Sequence, residues 1–380
     1  MDLSVGRHLL LITLFALCCA PALGGTCYLT HHDPFPPQGG NSGAALSVVA
    51  VGTSVMWGDG LEEDHTFRYL VAKWLSDQTG RAVDLWTFAH SASYLTEITG
   101  KGKTAPDPSD GDLNGNYPAI SEQIDCAAGG QYLLGKSDLV LVDGCFNEVG
   151  AESVVNPATR TDDIVKRVDT YCYQGLKDVL AQAESSFPNA TIAVAAYFPI
   201  VSSKSTIFGS SGTHRLAQYA KQAEQADTSF VQPQGPIVPL SRSEEKNIMV
   251  KNSEVFYQDS KTDMQKAIQE LNSIQPPRIY FAKLPEIDVN GVQTIDPNFA
   301  YAAPMTQEWL IPFWFLGPHN PDEKFLIRRK ACLSDYSPGT DELTCESNAG
   351  FHPDVQRAIS YANSIEHVIP SSLLESWKNR

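Results

Sequence analysis

The chain has 380 residues and a formal charge of −16, with 28 Lys and Arg against 44 Asp and Glu. That balance argues against a nucleic-acid binder, because phosphate backbones are neutralised by Lys and Arg, which are outnumbered here. The composition is that of a globular protein with room for one large domain or two modest ones, without collagen-like or disordered bias.

In chain order the first element is a leader. Arg7 precedes the apolar run LLLITLFALCCA, followed by the small residues of APALGG. This is the layout of a secretory signal peptide over residues 1–24, with cleavage expected between Ala22 and Gly25. The run is shorter than the ~20 residues a spanning helix needs, and no later segment is long and apolar enough. The expectation is a secreted, extracellular monomer with no stable membrane span. Residues 25–45 are rich in Pro, Gly and polar residues and read as an irregular lead-in. His31-His32-Asp33 lies within them without a further ligand at suggestive spacing, so no metal is expected there.

Cys18 and Cys19 fall in the leader, which leaves Cys27, Cys126, Cys145, Cys172, Cys332 and Cys345. An even set in an exported chain suggests disulfides, and Cys332–Cys345, bracketing a polar loop, is the pair expected first. No CxxC spacing occurs, which speaks against structural zinc. Asn189-Ala-Thr191 is a glycosylation sequon, relevant if the host is eukaryotic.

From residue 46 onward the chain alternates. Apolar, β-branched runs occur at 46–52, 83–90, 138–144, 191–198 and 278–284. They are continuous rather than alternating, as in strands covered on both faces. Between them lie helical patterns: Phe67, Leu70, Val71, Trp74 and Leu75 form one stripe, and residues 161–186, 213–226 and 248–274 follow. A final helix begins after His352-Pro353, with Val355, Ile359 and Ala362 facing inward. Alternation of this kind predicts an α/β fold: a three-layer αβα sandwich around a central parallel five-stranded sheet, flavodoxin-like in layout. The domain is expected over 46–370, with a helical insertion at 200–277 and a C-terminal tail at 371–380.

Ligands of open parallel sheets bind beyond the carboxyl ends of the strands. Gly52-Thr53-Ser54, His90-Ser91-Ala92-Ser93 and Gly144–Gly150 follow three of the strands, so Ser54, His90, Ser91 and Asn147 share one rim. The start of the last helix lets His352 reach it. A phosphate loop is disfavoured, since neither G-x-x-x-x-G-K-[ST] nor G-x-G-x-x-G is present. The G-x-S-x-G elbow of α/β-hydrolases is absent as well.

These residues, in this order, resemble the SGNH (GDSL-type) hydrolases. Gly52-Thr53-Ser54 resembles their first block, usually Gly-Asp-Ser, and Ala89-His90-Ser91-Ala92 the second, where glycine normally follows the Ser. Asp143-Gly144-Cys145-Phe146-Asn147-Glu148 resembles the third block, usually Gly-x-Asn-Asp. Gly350-Phe351-His352-Pro353-Asp354 resembles the last. Pro118–Gln123 and Tyr197-Phe198-Pro199 also match, so the similarity spans about residues 46–366.

The resemblance implies the SGNH hydrolase fold and a serine esterase that needs no cofactor or metal. Ser54 would be the nucleophile and His352 the general base. The N–H groups of Ser54 and Ala92 and the Asn147 side chain would form the oxyanion hole. His90, Ser91, Trp309 and Trp314 are candidates to line the substrate, a small-molecule, lipid or polysaccharide ester. The chain departs from the pattern at Thr53, Ala92 and Cys145, and at Ala349, where the family often has the aspartate that orients the histidine. Asp335, Asp341, Glu342 or Glu346 could replace it, or a backbone carbonyl could complete a Ser–His dyad; the dyad is preferred. A carbohydrate O-deacetylase with the same machinery and a non-catalytic binding protein are the competing readings. A Ser54–His352 hydrogen bond, with Asn147 facing the same point, is the feature that favours an enzyme.

Overall fold

The computed structural model describes residues 29–38, 43–97, 118–129, 132–150, 153–154, 156–200, 242–274, 276–284, 352–353 and 355–380. Its centre is built from the apolar runs. Strands β2 (Leu46–Val51), β3 (Val83–Thr87), β4 (Leu139–Val142), β5 (Thr191–Ala195) and β6 (Ile279–Ala282) pair in parallel, in the order β3-β2-β4-β5-β6. Counted along the chain, these five run second, first, third, fourth, fifth, which is the flavodoxin-like order. β4 and β5 are buried at every position, as continuous Val/Ile/Leu/Ala strands covered on both faces should be. The expected parallel five-stranded core is therefore present.

Helices α2 (Phe67–Thr79), α8 (Val355–Val368) and α9 (Ser371–Asn379) pack together in one layer. α3 (Ile120–Gly129), α5 (Thr161–Val168), α6 (Leu176–Ser186) and α7 (Arg242–Asn272) form the other. α5 and α6 are one continuous rod joined by a π-helical segment, Asp169–Gly175. Two short helices, α1 (Ser54–Trp57) and α4 (Phe146–Val149), start directly beyond β2 and β4.

Two segments differ from expectation. The lead-in expected to be irregular contains β1 (His31–Phe35), which makes the sheet six-stranded by pairing antiparallel with β3. Burial alternates along HHDPF, but apolar character does not, because two of its three less-exposed positions are the polar His31 and Asp33. Pro34 is tolerated there since an edge strand needs fewer ladder donors. His32 stacks on Trp86 of β3 with ring centroids 3.7 Å apart, which fixes the register. The expected tail at 371–380 is instead α9. Its Trp377 is 1% exposed, and the Trp377 carbonyl accepts from the Arg81 guanidinium at 2.7 Å.

Other expectations lie outside the described residues: the leader at 1–24, the helix at 213–226, Trp309, Trp314, and the Cys332–Cys345 pair. Cys145 and Cys172 form a disulfide, and Cys126 is also disulfide-bonded. No helix among the described residues is long and apolar enough to cross a membrane. Asn189 stands on an exposed turn before β5.

Candidate active site

The strand order reverses between β2 and β4, because β3 lies on one side of β2 and β4 on the other. Ligands of such sheets bind beyond the carboxyl ends of the strands at this point. Ser54 sits at that point as the first residue of α1, with Thr53 as the N-cap. A residue at a helix start keeps its backbone N–H out of the helical ladder.

The turn carrying Ser54 is held from three sides. The Gln123 side chain brackets Gly52, accepting from its N–H at 2.8 Å and donating to its carbonyl at 3.1 Å. Asp143, at the end of β4, accepts from the Thr53 N–H and from the Thr53 hydroxyl, each at 2.7 Å. Thus a carboxylate from the neighbouring strand holds both the backbone and the hydroxyl of Thr53. Gly52 is obligatory by close approach: a Cβ there would stand 1.8 Å from Asp143 Oδ1. Behind the turn, fully buried Arg68 donates to the Met56 carbonyl at 2.9 Å, to the Trp57 carbonyl, and to Thr87 of β3 at 3.0 Å. A guanidinium on the last carbonyls of a short helix satisfies groups that would otherwise be orphaned.

His352 enters just ahead of α8, and its Nε2 lies 2.6 Å from Ser54 Oγ across 298 residues of sequence. Both side chains are buried, with Ser54 6% and His352 8% exposed. For Nε2 to accept the hydroxyl proton, Nδ1 must carry the ring's own hydrogen. Nδ1 points to a carboxylate that sequence reasoning missed: Asp59 Oδ2, 4.0 Å away. Asp335, Asp341, Glu342 and Glu346, weighed for that place, lie outside the described residues.

The two remaining blocks are tied to each other. Asn147 of α4 donates from Nδ2 to the Ser93 carbonyl at 2.7 Å, and Glu148 accepts from the Leu95 N–H. Gln123 also donates to Ser93 Oγ at 3.0 Å, so the second block is fastened to the Ser54 turn. Two residues that are not glycine adopt left-handed backbone here, with φ of +59° at Ala92 and +91° at Cys145. Each side chain carries the strain of that conformation. Cys145 is bonded to Cys172 in the π-helical segment, which ties α4 to the long rod. His90 and Ser91 are nearly buried in the scaffold; the His90 N–H donates to the Gly52 carbonyl at 3.2 Å.

Burial dominates the electrostatics beneath this rim. It raises Asp143 to about 6 against the opposing Thr53 hydrogen bonds, and raises Glu148 to about 7 against the Leu95 N–H. Burial also pushes Tyr197 and Tyr361 well above the usual tyrosine value, with the Asp143 charge adding to it. Among the described residues the one clustered set of metal-type ligands is Glu62, Asp64 and His65, exposed or half-buried on a surface turn.

No family model matches the chain, and no curated protein does. Solved structures similar to it include a phospholipase A1 from Streptomyces albidoflavus, 12% identical, covering 63% of this chain and 80% of that one at a TM-score of 0.32. An extracellular lipase from Streptomyces rimosus is 16% identical over 62% of this chain and 79% of its own, at 0.32. A carbohydrate acetylesterase from Sinorhizobium meliloti is 14% identical over 62% and 84%, at 0.28. At these identities and scores none of the three bears on what this chain does.

Proposed function

We propose that the protein is a secreted serine esterase that hydrolyses a carboxylic ester, from a lipid or a small acyl compound, through an acyl-enzyme on Ser54. The observation that carries this reading is the buried 2.6 Å contact between Ser54 Oγ and His352 Nε2. A hydroxyl so placed is a nucleophile whose proton has a ready acceptor. As Oγ attacks the ester carbonyl, its proton passes to Nε2 and the carbonyl oxygen becomes an oxyanion. The N–H groups of Ser54 and Ala92 and the second amide hydrogen of Asn147 are its donors. His352 then returns the proton to the leaving alcohol, and a water repeats the sequence to release the acid. None of these steps calls on a metal or cofactor.

The test is hydrolysis of short- and long-chain nitrophenyl esters and of acetylated sugars by the wild type, Ser54→Ala and His352→Gln. Both variants should lose at least ~10³-fold in kcat/KM, and a fluorophosphonate should label Ser54 in the wild type alone. Equal rates in wild type and Ser54→Ala would sink the mechanism. Preference for acetylated sugars would make the protein a carbohydrate O-deacetylase, and absence of hydrolysis and labelling would leave a binding protein on this fold.

A further inference from the structure

The stretch after the serine, Gly58-Asp59-Gly60, is a second tightly constrained turn of the site. Gly58 closes α1 in left-handed backbone at φ +93°, where a Cβ would meet Thr66 Cγ2 at 2.4 Å, and Gly60 follows at φ +78°. The Asp59 N–H donates back to the Ser54 carbonyl at 3.0 Å. The chain therefore doubles over, and Asp59 lies under the residue that began the helix. Its carboxylate is wholly buried, a placement that carries a large desolvation cost unless nearby groups interact with the charge. Among the described residues, the Ser91 hydroxyl at 3.5 Å and His352 Nδ1 at 4.0 Å approach Oδ2.

Resting on the serine-esterase reading, we propose that Asp59 is the positioning carboxylate of His352, delivered by the nucleophile's own turn rather than from just before the histidine. Among the described residues it is the one carboxylate within 4.0 Å of the ring. It stands at Nδ1, on the side opposite Ser54, as an orienting group must. A closure of about 1 Å brings Nδ1–H to hydrogen-bond distance, and such bonds are commonly long before substrate is bound. When Nε2 takes the Ser54 proton, Asp59 stays ionised, fixes the ring and stabilises the imidazolium; the proton leaves from Nε2 to the alkoxide. The unusual GDG sequence is then explained: both glycines let the backbone reverse, and the residue between them reaches the histidine. Ala349, where the family's aspartate often stands, is free to be apolar.

The test is Asp59→Asn, which keeps shape and removes charge, measured as kcat per active site. Fluorophosphonate titration of Ser54 counts folded, competent sites, so a general loss of structure lowers the count and not the rate at each site. The expected result is a fall of about 10²–10⁴-fold in kcat per titrated site with KM little changed. Asp59→Ser, smaller and still polar, serves where Asp59→Asn leaves no sites to titrate, and the same fall is expected. Unchanged kcat per site in either variant overturns the proposal while leaving the esterase intact. A wild type that the reagent does not label on Ser54 overturns the esterase reading instead.

Discussion

Asn147 uses one amide hydrogen to hold the Ser93 carbonyl at 2.7 Å, and this contact sets the direction of the other. If the second hydrogen meets the oxyanion, Asn147→Ala removes a donor that works only in the transition state. The expected loss is about 10²–10³ in kcat, or ~2.7–4 kcal/mol, with KM nearly unchanged. A rise in KM at constant kcat would instead make Asn147 a substrate-binding residue. Ala92 offers a test of opposite sign. At φ +59° its Cβ opposes the conformation that the turn requires. Ala92→Gly should stabilise the fold by up to about 1 kcal/mol, after allowing for the extra freedom glycine gives the unfolded chain. Urea unfolding measures this directly. A destabilised Ala92→Gly would mean that the Ala92 methyl makes contacts worth more than the strain it causes.

The same strain exists at the start of α4, where a covalent link is superimposed on it. Cys145 caps the helix at φ +91°, and its bond to Cys172 closes a loop with a sequence separation of 27. Loop-closure entropy assigns such a link about 3–4 kcal/mol. Breaking it with Cys145→Ala/Cys172→Ala should cost about that amount. Cys145→Gly/Cys172→Ala should cost about 1 kcal/mol less, because glycine relieves the backbone. If both pairs unfold at one urea concentration, backbone strain at residue 145 has no energetic weight. At this scale the sequence was uneven as a guide. The parallel strands were legible because burial on both faces demands unbroken apolar runs. β1 was not, because of its covered positions His31, Asp33 and Phe35 only the last is apolar. α9 was misread as a tail, although Leu373, Leu374 and Trp377 share a helical face, since a short terminal helix is formed by docking rather than propensity. Trp377→Ala should therefore cost about 3–5 kcal/mol in thermal or urea unfolding, whereas a true tail residue would cost almost nothing.

Across the whole molecule, the parallel sheet brings the segments that carry Ser54, Ala92 and Asn147 to one rim, by ending β2, β3 and β4 there. Those residues could be picked out in the sequence because each follows an apolar run in a fixed order. Asp59 could not, since its meeting with His352 depends on how α8 docks and no local spacing encodes that. The supporting carboxylates were hidden for the same reason, and they give the fold a characteristic pH response. Burial lifts Asp143 to about 6 and Glu148 to about 7, and the Asp143 charge adds to the rise at Glu148. Raised carboxyl values mean that the native state holds protons the unfolded chain has already released. The stabilisation is fully present below the unfolded values near 4, and is lost as pH climbs through about 6 and 7. Each group contributes a slope of at most about 1.4 kcal/mol per pH unit. Glu148→Gln isolates one of them: its amide oxygen can still accept the Leu95 N–H, and among the described residues the other carboxylate oxygen, Oε2, has no partner to lose. Urea unfolding of wild type and Glu148→Gln between pH 4.5 and 7.5 gives the difference in stability at each pH. The variant should gain on the wild type steadily up to about pH 7 and then run parallel to it. A difference that stays constant across the range would show that Glu148 ionises in the fold as it does in the unfolded chain, and that the anchor beneath the second block is an ordinary carboxylate.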